Sequence, residues 1–284
     1  MTIEEANRWM IASLTELYDE REATSISSLV MEELTQMPKY QRVSHRKDPM
    51  TKAQENRYHQ FHSQLMGHRP VQYVLGKAWF GSTAFCVNEN VLIPRPETEE
   101  LVDWLLQEYQ FTGVEKTVLD IGTGSGCIPV TIKKKRPDFI VYALDISKEA
   151  LEIAATNARL NETKITFNLC DIRDNLQWNI IPSVDIIISN PPYIPEKQKQ
   201  VLEKHIRDFE PSVALFVPDA DPIIFYKLIG NFALQKLTPG GRLFLEIHHD
   251  FAKAITDWYE KNGFLLELRK DFFGNNRMIK AWRA

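Results

Sequence analysis

Apolar residues recur at helical spacing from the start of the chain. Ile3, Ala6, Trp9, Met10, Leu14, Leu17 and Tyr18 fit one face of an amphipathic helix. Leu29, Val30, Leu34 and Met37 fit a second, with Ser27 or Ser28 as its expected cap and Pro38 as its stop. Thr51 to Leu65 predicts a third. After Pro70-Val71-Gln72-Tyr73-Val74-Leu75-Gly76 the pattern changes. Ala78 to Ile93 is rich in β formers, with Gly81-Ser82 and Asn88-Glu89-Asn90 as turns, which predicts a β-hairpin. Pro96 suits the first turn of the next helix, and Glu97, Glu99 and Glu100 favour its positive end.

From Thr117 onward short apolar runs alternate with helical stretches. Strands are predicted at Thr117–Ile121, Phe139–Leu144, Ile165–Leu169, Ile186–Ser189 and Arg242–Ile247, the last entered by a Pro239-Gly240-Gly241 turn. Helices are predicted from Gly126 to Lys135, Lys148 to Leu160, Asp221 to Leu237 and Phe251 to Asn262. Phe264–Arg269 and Met278–Trp282 follow with no helix between them, so an antiparallel pair should close one edge. Repeated β–α units imply a mainly parallel, doubly wound α/β sheet. The expected organisation is a helical domain over 1–75, a hairpin linker over 76–95 and a catalytic domain over 96–284.

Composition narrows the class. The 284 residues carry a net charge of −4, and residues 1–75 hold nine Lys or Arg against ten Asp or Glu. A near-neutral N-terminal block suits a protein-facing module better than one that grips nucleic-acid backbone. Cys86, Cys127 and Cys170 are scattered, without a C-x-x-C pair, and read as reduced thiols of a cytoplasmic protein. No secretory leader is expected behind Glu4 and Glu5, and no apolar run reaches the length of a membrane span. His59 and His62 stand at i and i+3, but lack a Cys or carboxylate at ligand spacing, so no metal is expected. His205, His248 and His249 read as surface or structural.

Two strand ends carry the candidate chemistry. Asp120-Ile121-Gly122-Thr123-Gly124-Ser125-Gly126 joins the first strand to its helix, and its glycines let a ligand approach the backbone. Asp145 ends the second strand, 19 positions after Gly126. There it can accept both ribose hydroxyls of a nucleoside, or simply cap the next helix. Asp171 and Ile172 follow the third strand, where an adenine amino group and ring could be received. The fourth strand runs into Ser189-Asn190-Pro191-Pro192-Tyr193. Two prolines stiffen this loop and leave their carbonyls free, while Asn190 adds a side-chain acceptor. Such equipment suits a planar group bearing NH2. A dehydrogenase has no use for it; a methyltransferase using S-adenosyl-L-methionine does.

Taken together, Pro70–Gly76, Val91-Leu92-Ile93-Pro94-Arg95-Pro96-Glu97-Thr98-Glu99, the Gly122–Gly126 loop, Asp145, Asn190–Tyr193 and Phe209-Glu210-Pro211 make the chain resemble a known family. It is similar to the protein-(glutamine-N5) methyltransferases of peptide-chain release factors, the HemK/PrmC family, over nearly its whole length. The resemblance implies a class I S-adenosylmethionine-dependent methyltransferase domain, Rossmann-like with a seven-stranded sheet, behind a helical domain that recognises the release factor. It implies Asn190, Pro191, Pro192 and Tyr193 as catalytic residues. Gly122, Thr123, Gly124, Ser125, Gly126, Asp145, Asp171, Ile172 and Asn190 would bind the cofactor. The chain departs from the family pattern after Phe216, where a glycine-containing run is usual and this chain has Val217-Pro218-Asp219-Ala220-Asp221-Pro222, and after Glu246-Ile247, where a glycine is usual and this chain has His248. Methylation of adenine N6 in DNA or guanine N2 in RNA uses similar loop chemistry and is the main alternative; a non-catalytic adenosine-binding module is another. The Phe272–Arg277 run reads as a turn or a contact surface.

Overall fold

The computed structural model describes residues 1–110 and 113–283. The chain divides into two compact units: Met1–Lys77 with Glu203–Phe209, and Ala78–Leu202 with the residues from Glu210 onward.

The first unit contains α1 (Ile3–Leu14), α2 (Glu20–Thr35), α3 (Lys39–Ser44), α4 (Lys52–Met66) and α5 (Val71–Leu75). Thr2 and Thr51 each cap their helix reciprocally with the Glu or Gln three residues on. The cap expected at Ser27 or Ser28 lies elsewhere. Asp19 caps α2 through the Glu22 N–H, and Ser27 is buried mid-helix, donating to Asn7 Oδ1 at 2.9 Å. The periodic apolar run does not reveal this, because a buried serine with a partner packs like a small apolar residue. His62 is hydrogen-bonded to Ser13 (2.8 Å), and its ring lies tilted against Trp9, 4.4 Å between centroids.

The second unit opens with a two-stranded sheet, β1 (Lys77–Phe80) and β2 (Thr83–Cys86). Phe80 and Phe85 meet edge to face and enter the core beside Leu101 and Leu105. Then come α6 (Pro96–Glu108), β3 (Thr117–Ile121), α7 (Cys127–Lys135), β4 (Ile140–Asp145), α8 (Lys148–Leu160), β5 (Thr166–Leu169) and β6 (Val184–Ser189). A short parallel pair follows, β7 (Ile194–Pro195) with β8 (Phe216–Val217). Between its strands the chain forms α9 (Lys204–Phe209), which belongs to the first unit, and α10 (Ser212–Leu215). The chain ends with α11 (Ile224–Lys236), β9 (Leu237–Glu246), α12 (Ala252–Lys261), β10 (Leu265–Lys270) and β11 (Asn276–Trp282).

The main sheet has the order β10-β11-β9-β6-β3-β4-β5. Strands β5, β4, β3, β6 and β9 run parallel, and β11 is antiparallel to both its neighbours. Both faces are covered, which is why β6 is apolar through most of its length. Ile187 packs with Phe232 and Tyr259 on one side, whereas Ile186 and Ile188 pack with Val130 and Leu101 on the other. The chain steps outward from β3 through β4 to β5, then restarts on the opposite side with β6. The carboxyl ends of β3 and β6 therefore flank the switch point where such sheets receive ligands.

One boundary differs from the pattern. Pro239-Gly240-Gly241 is not a turn before the strand but a bulge within β9: Val184 pairs with Leu237, and Ile186 already pairs with Arg242. A Cβ on Gly241 would lie 2.8 Å from the Asp185 carbonyl, so the crossing needs glycine. The Phe272–Arg277 run includes the turn between β10 and β11, with Gly274 at φ +87°.

Candidate active site

The glycine loop leaves β3 by hydrogen-bonding back to the sheet. The N–H groups of Gly122 and Thr123 both donate to the Leu144 carbonyl, and Gly126 N–H donates to Thr123 O. Gly122 and Gly124 have positive φ and open space where a Cβ would stand, so their backbone is accessible to a ligand. Gly126 serves packing instead. At φ +78° its absent Cβ would lie 3.0 Å from Ala154 Cβ in α8. Thr123 and Ser125 are buried within the loop.

Asp145 closes on this loop from β4. One carboxylate oxygen accepts from Gly124 N–H (2.8 Å) and the other from Ser147 N–H (2.9 Å). Ser147, not Asp145, caps α8. Each carboxylate oxygen keeps a further lone pair. Burial pushes the Asp145 carboxyl above its ordinary range, and the three backbone N–H groups around it oppose that shift. Asp171 is held by Arg173, whose guanidinium and backbone N–H both donate to it and keep its carboxyl below the usual range. Ile172 is buried, and its carbonyl accepts from the Trp178 indole N–H.

Asn190 lies just past the end of β6, where Ser189 Oγ ties the strand end to the Ile121 carbonyl (2.6 Å). Asn190 Nδ2 donates to Thr98 Oγ1 at 2.9 Å. Thr98 in turn donates to Glu246 Oε2 at 2.6 Å, and the Tyr193 hydroxyl donates to Glu246 Oε1 at 3.1 Å. With its nitrogen engaged, the Asn190 carbonyl oxygen accepts no hydrogen bond among the described residues. Glu246 is buried at the end of β9, and burial raises its carboxyl to about 7 against the opposing pull of Thr98, Tyr193 and Arg277. Tyr193 is raised strongly, by burial first and by the Glu246 charge second.

A cavity of about 880 Å³, part of it open to solvent, joins these pieces. Of the residues singled out in the sequence, Gly122, Gly124, Asp145, Asp171, Ile172, Asn190, Pro191 and Pro192 line it. Thr123, Ser125, Gly126 and Tyr193 stand behind the wall. Asn90 to Leu92 and Pro211, Val213 and Ala214 form walls that sequence reasoning did not assign. The Glu210 carboxylate holds these two segments together by accepting from Arg95 Nη2 (2.5 Å) and Ile93 N–H (3.4 Å). Thr98 and Glu246 also escape a reading of the sequence as site residues; their only signal there is membership in the Pro-Arg-Pro-Glu-Thr-Glu and Glu246-Ile247 runs.

Asp120 carries no sequence signal beyond being the first residue of the loop. It is fully buried, and neither its carboxylate oxygens nor the Thr123 hydroxyl has a hydrogen-bond partner among the described residues. Burial raises its carboxyl to about 7, with the Asp145 charge adding to the shift and Thr123 offsetting part of it. The acid that does line the cavity, Asp145, stands beside the open backbone of Gly122 and Gly124, an arrangement that fits a nucleoside such as that of S-adenosylmethionine. His248 is buried, with its ring edge-on to Tyr193 (5.7 Å between centroids) and Nδ1 accepting from Asp250 N–H.

With this geometry in place, likeness to known proteins is informative. A PrmC N-terminal domain matches residues 5–76, and a methyltransferase small domain matches residues 98–210. The release factor glutamine methyltransferase of Flavobacterium psychrophilum is 38% identical over 284 residues, covering 99% of each chain. The enzyme of the same name from Bacteroides thetaiotaomicron is 42% identical over 222 residues, covering 77% of this chain and 78% of its own. A methyltransferase from Pyrococcus furiosus shares the fold, with a TM-score of 0.50 at 18% identity over 69% of this chain and 86% of its own. No helix among the described residues is long and apolar enough to cross a membrane. The chain belongs to the family of release factor glutamine methyltransferases, class I enzymes built on the seven-stranded sheet described above.

Proposed function

We propose that this protein transfers a methyl group from S-adenosyl-L-methionine to the side-chain amide nitrogen, N5, of the glutamine in the Gly-Gly-Gln motif of peptide-chain release factors, and that it works in the cytoplasm. The identity of 38% over 99% of the chain supports the substrate class. The observation that carries the chemistry is the Asn190 side chain at the wall of the cavity: its nitrogen is bound to Thr98, and its oxygen accepts no hydrogen bond among the described residues.

Bound S-adenosylmethionine supplies a methyl group activated by its sulfonium. The backbone of Gly122 and Gly124 is open for its approach. The remaining lone pairs of Asp145 would accept the ribose hydroxyls, and Ile172 with Asp171 would receive the adenine, Asp171 sharing its carboxylate with Arg173. A glutamine amide nitrogen is a weak nucleophile because its lone pair is delocalised. The protein's task is therefore positioning, which can supply roughly 7–11 kcal/mol of a barrier. Asn190 Oδ1 and a carbonyl of Pro191 or Pro192 accept the two substrate N–H bonds and aim the lone pair. As the nitrogen gains positive charge those hydrogen bonds strengthen, which is stabilisation selective for the transition state. Tyr193 acts from behind the wall through Glu246. The helical N-terminal unit is the proposed recognition surface for the release factor, and no metal or nucleic acid enters the scheme.

The test is incubation with labelled S-adenosylmethionine and three acceptors: a release factor, the same factor with its motif glutamine changed to alanine, and duplex DNA. Label on the intact factor alone is the expected result. Label on DNA with none on the factor would overturn the assignment.

A further inference from the structure

The proposed chemistry requires Asn190 to show its oxygen, not its nitrogen, to the acceptor. A carboxamide is nearly symmetric in shape, and a half-turn about its last bond exchanges the two. An asparagine bonded to a hydroxyl alone is not thereby oriented, since a hydroxyl can donate or accept. Here the hydroxyl is itself committed. Thr98 has one hydrogen, and it points to Glu246 Oε2 at 2.6 Å. The Thr98 oxygen therefore faces Asn190 only as an acceptor, and only Nδ2 satisfies it. The polarity of the chain starts at Glu246, because an ionised carboxylate has no hydrogen to give. Its second oxygen is occupied by the Tyr193 hydroxyl.

We infer that Glu246 is a positioning residue: through the Thr98 hydroxyl it sets which face of the Asn190 carboxamide meets the acceptor, and so makes the site select NH2 donors. This rests on the reading of Asn190 as the acceptor of substrate N–H bonds. Thr98 lies 92 positions from Asn190 and 148 from Glu246. The three come from the first turn of α6, the loop after β6 and the end of β9. The other charged or titratable groups that act on Glu246 are Tyr193, Glu97 and Arg277, the last engaged by Asp271 at 3.0 Å. Protonation of Glu246 on Oε2 reverses the chain: Glu246 donates to Thr98, the Thr98 hydrogen turns to Asn190, and Asn190 turns its nitrogen toward the acceptor.

Four variants of the full chain separate this from a merely structural role. Glu246→Leu, which leaves no acceptor for the Thr98 hydrogen, and Thr98→Val should each lower kcat about tenfold to a hundredfold, the cost of a misaligned reacting pair, with KM and cofactor affinity within about twofold. Thr98→Ser keeps the hydroxyl and should stay within about threefold. The double variant Glu246→Leu with Thr98→Val should be no slower than Thr98→Val alone, because both act through Asn190. Protonation of Glu246 predicts a fall in wild-type kcat on the acid side, which should be absent in Glu246→Leu. A Glu246→Leu enzyme of wild-type rate and pH profile, or a double variant whose losses multiply, would overturn the inference. The Asn190 side-chain ¹⁵NH2 resonances, recorded without any acceptor, give an independent reading: shifted in Glu246→Leu and Thr98→Val, retained in Thr98→Ser. Unchanged resonances in Glu246→Leu sink the inference even if no release factor is methylated. A wild-type enzyme that leaves the release factor unlabelled counts against the substrate assignment alone.

Discussion

The carboxamide of Asn157 closes on both backbone polar groups of Cys86, accepting from its N–H at 2.7 Å and donating to its carbonyl at 2.9 Å. The same nitrogen donates to the Ser125 carbonyl at 2.8 Å. One fully buried side chain in α8 thus pins the hairpin to the glycine loop. Asn157→Leu would take the partner from three backbone groups, two on half-buried Cys86 and one on buried Ser125. We expect a loss of about 2–4 kcal/mol in unfolding free energy, measured by urea denaturation, together with weaker cofactor binding. A loss below about 1 kcal/mol would mean that water or a loop shift replaces the carboxamide.

Asn190→Ala removes the side-chain acceptor and leaves the cavity otherwise intact. Single-turnover methyl transfer should slow by about 10²–10³-fold, the typical effect of deleting one preorganised polar contact. Cofactor affinity by calorimetry should change little. An unchanged rate would take Asn190 out of its proposed role.

Asp145→Ala should act in the opposite sense, on binding more than on rate. Loss of charge-assisted hydrogen bonds to the ribose predicts an affinity lower by about 1.5–3 kcal/mol. Its contacts to Gly124 N–H and Ser147 N–H also vanish, so part of the effect comes through the loop. Calorimetric titration of the variant decides it; wild-type affinity would move the ribose contact elsewhere.

Asp120 predicts a pH dependence of stability. Burial raises its carboxyl from 3.8 in the open chain to about 7 in the fold. Between these values the folded state holds the proton that the unfolded state has released. The contribution of Asp120 to stability is therefore full below about pH 4 and declines as pH rises toward 7. Asp120→Asn should flatten the decline, by roughly 2–4 kcal/mol between pH 4 and 7.5. Chemical denaturation at the two pH values checks this. The raised carboxyl of Glu246 acts in the same direction from 4.5 to about 7 and will leave a residual slope.

What could be read from the chain was what neighbours within a few residues dictate. The period of the apolar positions marks the alternation of strand and helix, and therefore a doubly wound sheet with its ligands at the strand ends. Glycine spacing marks an accessible backbone after Ile121. The prolines after Asn190 mark a stiff loop with free carbonyls. Local signals also mislead where packing overrules them. Pro239-Gly240-Gly241 has the composition of a turn, yet is a bulge inside β9, because β6 supplies partners on both sides of it. Ser27 has the character of a cap, yet is buried in α2 opposite Asn7.

The order of residues was enough for the architecture, for the end of the sheet that holds the site, and for the residue types aimed at a nucleoside and at an NH2 group. How those residues are oriented came only with the completed fold. Thr98 reads locally as a polar residue in a helix's first turn, and Glu246 as a charge at a strand end. Their link to each other and to Asn190 spans 148 and 92 positions and leaves no trace in any local pattern. Elements form from short-range sterics and hydrophobic period, whereas the polarity of a buried hydrogen-bond chain is set by whichever groups the fold brings within reach.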